Sequence, residues 1–152
     1  MSYVRHILQP GEQVIRIGHR HWIIYREAIV LGAVALAIFT YGYLHYPYRG
    51  YAVIGGGVVL LGALVFFIRA FILQAITEIA VTNKRVIYKI GFISRHTEEM
   101  NIDKVETVVV DQSIFGRLLN YGTIHIRGMG QGIENLREIA APIDLRNAIE
   151  TR

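Results

Sequence analysis

Several groups of side chains in this sequence have types and spacings from which chemistry could be built. His19 and His21 flank Arg20 in "GHRHW", and on a strand both imidazoles of an H-x-H pair share one face, as a metal ion would require. Only Glu27 and His6 stand near enough in sequence to add a third ligand. Beside Trp22, a pair of interfacial histidines is the better reading. His96 precedes Thr97, Glu98 and Glu99, which suggests a base with carboxylates. Adjacent strand residues point to opposite faces, however, so a solvated edge is expected there. Asp103, Glu106 and Asp111 have no spacing typical of an acid–base pair. The glycine cluster "GMGQG" at residues 128–132 lacks the following helix or lysine of a phosphate cradle. No nucleophile elbow, Walker loop or dinucleotide fingerprint occurs. The chain has no Cys, which excludes a disulfide framework and a thiolate metal site. These residues predict no catalytic centre, no metal, no cofactor and no small-molecule substrate.

A binding role has more support. Lys84, Arg85 and Lys89, with Arg95 close in sequence, form a small cationic group around one predicted hairpin. Near an anionic bilayer each such charge contributes on the order of 1 kcal/mol of attraction, so these four are candidate headgroup contacts. The plainer reading is a solvated strand turn.

The elements that must position these residues fall into two kinds. Of the 152 residues, 53% are hydrophobic and only 18% charged, with a mean hydropathy of +0.36. That is low in charge for one soluble domain, so part of the surface is expected to meet lipid. The formal net charge of +4 does not mark a nucleic-acid footprint. Residues 74–152 carry 10 Lys and Arg against 10 Asp and Glu, and the surplus comes from Arg5, Arg16, Arg20, Arg26, Arg49 and Arg69 around the apolar segments, set against Glu12 and Glu27. That distribution is the pattern of membrane flanks.

Residues 28–44 and 51–68 are free of charge, and at 1.5 Å per residue each covers roughly 26 Å, close to a hydrocarbon core of about 30 Å. Adjoining apolar residues extend the spans to about 22–46 and 51–73. Pro47 and Gly50 break them in "HYPYRG". Trp22, Tyr25, Tyr41, Tyr43, Tyr46, Tyr48 and Tyr51 crowd the ends as aromatic belts do. The first run starts too far in for a signal peptide, and no small-residue cleavage pattern follows it. The loop holds one Arg while the outer flanks hold several, which predicts an external loop and cytoplasmic termini. Small residues at close-packing intervals, Ala28 with Gly32, Ala33 with Ala37, Gly55 with Gly62 and Gly56 with Ala63, are candidate helix-packing positions, within the hairpin or between copies. Arg69, about one turn from a span end, is expected to snorkel to the headgroups.

After Ile76 the hydrophobic period changes to two. Thr77, Ile79 and Val81 share one face, and beyond the Asn83 turn Val86, Tyr88 and Ile90 share another. Residues 92–100, 104–111, 121–128 and 133–141 read as further strands. "SIFGRLLN" opens with a possible Ser113 N-cap and predicts a helical turn. Pro142 starts an amphipathic helix over 142–152. "EQVIRIG" at residues 12–18 has strand composition and predicts a further strand ahead of the spans. The domain would then be split, with residues 1–20 and 75–152 flanking the transmembrane hairpin at 21–74.

The stretch "AVTNKRVIYKIGFISRHTEEMNIDKVETVVVDQSIFGRLLNYGTIHIRG", residues 80–128, resembles the bacterial PH-like domain of the second type. The likeness rests on a threonine–turn–arginine element, "VVVDQS", and an "RLLxxG" turn leading into "GTI", in that order behind two spans. Asn120 and Tyr121 stand where a glycine is common. The resemblance implies a seven-strand antiparallel barrel capped by a C-terminal helix, anchored in the membrane and not an enzyme. Phosphoinositide-binding PH domains carry their basic motif on the first hairpin, a position occupied here by the spans, so that motif does not transfer.

The expectation is therefore an α+β membrane protein of the bacterial inner membrane. It would be a cytoplasmic-face interaction module that self-assembles or serves as accessory subunit or scaffold for membrane protein partners, with no nucleic acid. An anionic lipid-headgroup sensor is the alternative.

Overall fold

The computed structural model describes residues 8–91, 96–128 and 133–150, with the backbone alone at residues 96 and 133–135. The chain divides into two compact units, Trp22–Leu73 and the combination of Met1–His21 with Gln74–Arg152.

The first unit is a helical hairpin. A 3₁₀ turn at Trp22–Tyr25 leads into α1 (Arg26–Leu44), and a second at Tyr46–Tyr48, with Pro47 near its start, leads into α2 (Arg49–Ile76). Tyr41, His45 and Tyr48 cluster at the turn, the first two stacked at 4.3 Å. Both helices are long and apolar enough to cross a membrane, and only 11% and 17% of their most apolar stretches is buried. The core helices of a soluble protein would be largely buried.

The packing seam of the hairpin takes up one of the expected small-residue pairs, Gly56 with Ala63. It is formed by Ala28, Ala35 and Gly42 of α1 and by Ala52, Gly56, Ala63 and Ala70 of α2. The seven-residue steps are those that keep a left-handed helix pair in contact. Ala28 is therefore in the seam, whereas Gly32, Gly55 and Gly62 have open space where a side chain would point. A Cβ on Gly42 would overlap that of Ala52, and one on Gly56 would come within 2.7 Å of the Phe39 ring. Gly42→Leu is thus expected to weaken the hairpin by about 1–3 kcal/mol, read by denaturant titration in detergent, with Gly55→Leu nearly silent. Equal effects at both positions would contradict this seam.

The second unit carries seven strands: β1 (Val14–Gly18), β2 (Thr77–Thr82), β3 (Arg85–Ile90), β4 (His96–Asn101), β5 (Val105–Asp111), β6 (Tyr121–Gly128) and β7 (Ile133–Ala140). Between β5 and β6 lies the short helix α3 (Ile114–Leu118), and α4 (Pro142–Glu150) ends the described chain. All ladders are antiparallel. β1 pairs with β2 across the intervening hairpin, Gly18 opposite Ile79 and Ile17 opposite Ala80.

The strands do not close into the barrel expected from the sequence. They form a four-stranded sheet, β1-β2-β3-β4, and a three-stranded sheet, β5-β6-β7. A 3₁₀ turn at Ile102–Lys104 redirects the chain between β4 and β5, so no ladder forms there. At the other side the sheets meet through a short bridge: Arg20 pairs with Ile139, and His21 N–H donates to the Glu138 carbonyl. Between the sheets lies the core of Ile79, Val81, Val86, Tyr88, Met100, Ile102, Ile124, Ile126, Leu136 and Ile139. Leu145 and Ile149 of α4 close it. Gly18 leaves room for that helix, since a Cβ there would sit 3.1 Å from Leu145 Cδ2.

Candidate functional site

Central strand β2 is buried on both faces. Its outer face, with Ala80 and Ile87 of β3, is covered by Leu8 and Val14, so the segment before β1 lies across the sheet as a strap. The "TNKR" turn between β2 and β3 receives that strap with all four residues. Thr82 Oγ1 donates to Glu12 Oε1 at 2.7 Å, and Asn83 Oδ1 accepts the Gln13 N–H at 2.9 Å. Lys84 Nζ donates to the Pro10 carbonyl at 3.2 Å. Arg85 makes a two-pronged pair with Glu12, Nε to Oε1 and Nη2 to Oε2, both at 3.0 Å. Its remaining nitrogen, Nη1, donates to Glu99 Oε2 at 2.6 Å. Thr82 Oγ1 also accepts the Arg85 N–H at 3.0 Å, which closes the turn.

The electrostatics follow from this geometry. The Glu12 side chain is fully buried, and burial alone would raise its pKa. Hydrogen bonds from Arg85, the Gln9 N–H and Thr82 outweigh that and hold it at about 2. Arg85 is held above its ordinary value chiefly by the bond to Glu12, against the opposing effect of burial.

Arg85, a candidate headgroup contact in the sequence, has a side chain only 11% exposed and committed to two carboxylates. Lys84 is exposed, but β2 carries the turn a full strand away from Thr77, where the chain enters the sheet, a distance of about 17–20 Å. Lys89 lies nearer that entry, opposite Glu78 and Thr97. Lys84, Arg85 and Lys89 are therefore spread along the hairpin and differ in exposure. Arg95 falls outside the described residues, as do His6 and residues 129–132 of the glycine cluster. A cleft of about 570 Å³ beside the turn is lined by Asn83, Lys84, Asn101 and Asp103 among others, which mixes the two signs of charge.

His19 is exposed and His21 buried, so the two imidazoles occupy different environments. The His21 ring stacks on Tyr121 at 5.2 Å and hydrogen-bonds the Leu119 carbonyl. Burial lowers its pKa and that bond partly offsets the effect. Among the described residues no three His, Asp or Glu side chains converge as metal ligands do. Tyr88 reaches Arg20 from the core side, and burial raises its phenol pKa.

Sequence reasoning missed Glu12. Its one signal was a carboxylate placed at the head of an apolar strand, just after a turn.

No curated protein and no solved structure matches this chain. The model of the family described as bacterial PH domain matches residues 23–152, which covers α1, α2 and every strand from β2 onward. The match begins downstream of β1 and of Glu12. Domains of the PH type are generally non-catalytic interaction modules. That match spans most of the chain, and the chain belongs to the bacterial PH domain family.

Proposed function

We propose that this protein is a membrane-anchored interaction module whose β unit recruits or stabilises other membrane proteins, or further copies of itself, at the cytoplasmic face of the inner membrane. The reading is carried by the absence of slack between the units. Trp22 follows His21 directly, and β2 begins at Thr77 immediately after α2 ends at Ile76. A β unit tethered twice without linkers is confined to a layer beside the headgroups, which raises its effective concentration toward other membrane proteins. The balanced charge of residues 74–152 adds no pull toward nucleic acid. On the helices, Gly55 and Gly62 have open space beside them, which suits a neighbouring helix from another chain. The alternative, a headgroup sensor built on Lys84, Arg85, Lys89 and Arg95, is weakened by the commitment of Arg85 to Glu12 and Glu99.

Purification of the full chain in mild detergent, with crosslinking in native membranes, tests this reading. A stoichiometric protein partner or a defined homo-oligomer is expected. A strictly monomeric species without crosslinked neighbours, retaining anionic lipid, would support the sensor instead. The orientation has its own test. A reporter fused after Arg152 should be cytoplasmic and one inserted at Pro47 external; the reverse pattern would overturn it.

A further inference from the structure

Four large apolar side chains crowd one short turn of the β unit and face solvent. Ile114 is 87% exposed, Phe115 69%, Leu118 78% and Leu119 37%. The other exposed large hydrophobics described in this unit are Ile15 and Ile17 on β1, Val109 on β5 and Ile143 on α4, no more than two to an element. Scattered exposure is ordinary, whereas a contiguous group marks a contact surface.

This exposure is built into the turn. Ser113 Oγ accepts the Gly116 N–H at 3.0 Å, and Gln112 Nε2 donates to the Gly116 and Tyr121 carbonyls at 3.3 and 3.0 Å. The Ala141 N–H donates to the Asn120 carbonyl at 2.9 Å, tying the end of the turn to the start of α4. A Cβ on Gly116 would come within 2.7 Å of the Tyr121 carbonyl oxygen, so the helix sits tight on its base. A turn braced in this way cannot fold its apolar residues inward.

Its position names the occupant. The β unit releases the chain toward the apolar hairpin at His21, whose ring is held by Tyr121 and the Leu119 carbonyl. The next residue, Trp22, begins that hairpin. The second join is at the same end of the sheet, because Gly18 pairs with Ile79 and the strands run on from there toward His21 and Thr77. The exposed turn thus ends beside His21, one of the two points where the chain leaves for the hairpin, and Arg117 adds a cation among its apolar residues.

We propose that α3 is an interfacial wedge: Ile114, Phe115 and Leu118 insert at the boundary of headgroups and acyl chains, with Arg117 placed for lipid phosphates. The wedge rests on the reading that α1 and α2 span the membrane. It gives the β unit a third attachment to the bilayer beside its two covalent ones, and so fixes its tilt.

The absence of native Cys makes the test direct. Single-site variants Phe115→Cys, Leu118→Cys, Lys84→Cys, Leu36→Cys and Leu61→Cys of the full chain are spin-labelled in nanodiscs of phosphatidylethanolamine and phosphatidylglycerol. Collision with oxygen, which partitions into lipid, is compared with collision with a water-soluble nickel chelate. The oxygen-to-nickel ratio at 115 and 118 should exceed that at 84 several-fold and approach that at 36 and 61. Labels at 36 and 61 in lipid with 115 and 118 in water would overturn the wedge alone. All labels in water would overturn the spanning reading together with it. Labels at 115 and 118 shielded from both reagents would place the turn against protein, which also overturns it.

Discussion

Glu12→Ala should lower the stability of the β unit by about 3–5 kcal/mol, the effect of leaving a buried guanidinium without its main partner. For a unit of this size that corresponds to a fall in melting temperature on the order of 15–25 °C, followed by near-ultraviolet circular dichroism of the full chain in detergent. The Glu12 carboxylate is fully buried and takes two hydrogen bonds from Arg85 as well as those from Thr82 and Gln9. Glu99→Ala should cost far less, because that carboxylate is 40% exposed and water can replace the protein at it. Replacing the pair together, Glu12→Leu with Arg85→Met, should recover much of the loss, since neither charge is then stranded. A loss below about 1 kcal/mol for Glu12→Ala would show that the strap is not held by this pair.

The same carboxylate sets an acid limit. Its pKa is 4.5 in the unfolded chain and about 2 in the folded one. The stabilisation it supplies is therefore complete above pH 4.5 and lost as pH falls toward 2. Its size is about 3 kcal/mol, and Glu12→Gln should flatten that part of the stability profile.

Removing the strap and β1 altogether should have a larger effect still. A fragment of residues 74–152 lacks the strand that pairs with β2, and it uncovers Ala80, Ile87, Thr82 and Arg85 at once. It is expected to melt without cooperativity and to aggregate through the open edge of β2. Joining residues 1–21 to 74–152 by a short glycine–serine turn should restore a cooperative transition. β1 and β2 are antiparallel neighbours, and adjacent strands lie about 4.8 Å apart, well within reach of such a turn. A cooperatively melting 74–152 fragment would contradict the split arrangement.

What could be read from the sequence was local. The change of period after Ile76 reveals the switch from helix to strand because the two repeats differ so sharply. The Ser113 cap is legible from a hydroxyl placed just before a helical turn, and it accepts the Gly116 N–H as such a cap does. The role of Arg85 was not legible, since its partner lies 73 residues away and a lone cation near a turn reads as solvated. The seam of the hairpin was ambiguous for a different reason. In "GGG" at residues 55–57 several helical phases offer small residues, so Gly55 with Gly62 and Gly56 with Ala63 read equally well, and Gly56 with Ala63 is the pair buried in the seam. The open arrangement of the two sheets depends on one redirecting turn, Ile102–Lys104, whose composition carries no distinct signal. The exposed face of α3 escaped notice because four apolar residues in a short segment look like core until their surroundings are known.

The insertion of the hairpin between two paired strands also imposes an order on biosynthesis. About sixty residues separate Gly18 from Thr77, and at about 5–20 residues per second the ribosome needs several seconds to bridge them. During that interval β1 has been made, α1 and α2 are being made, and neither β2 nor Arg85 yet exists. Gln13 and Arg16 keep the waiting strand polar along part of its length, and Glu12 remains solvated and free of cost until its partner arrives. The first sheet can therefore close only after both helices have been made, and on the reading that α1 and α2 span the membrane the Glu12–Arg85 contact requires both ends of the hairpin to lie on one side.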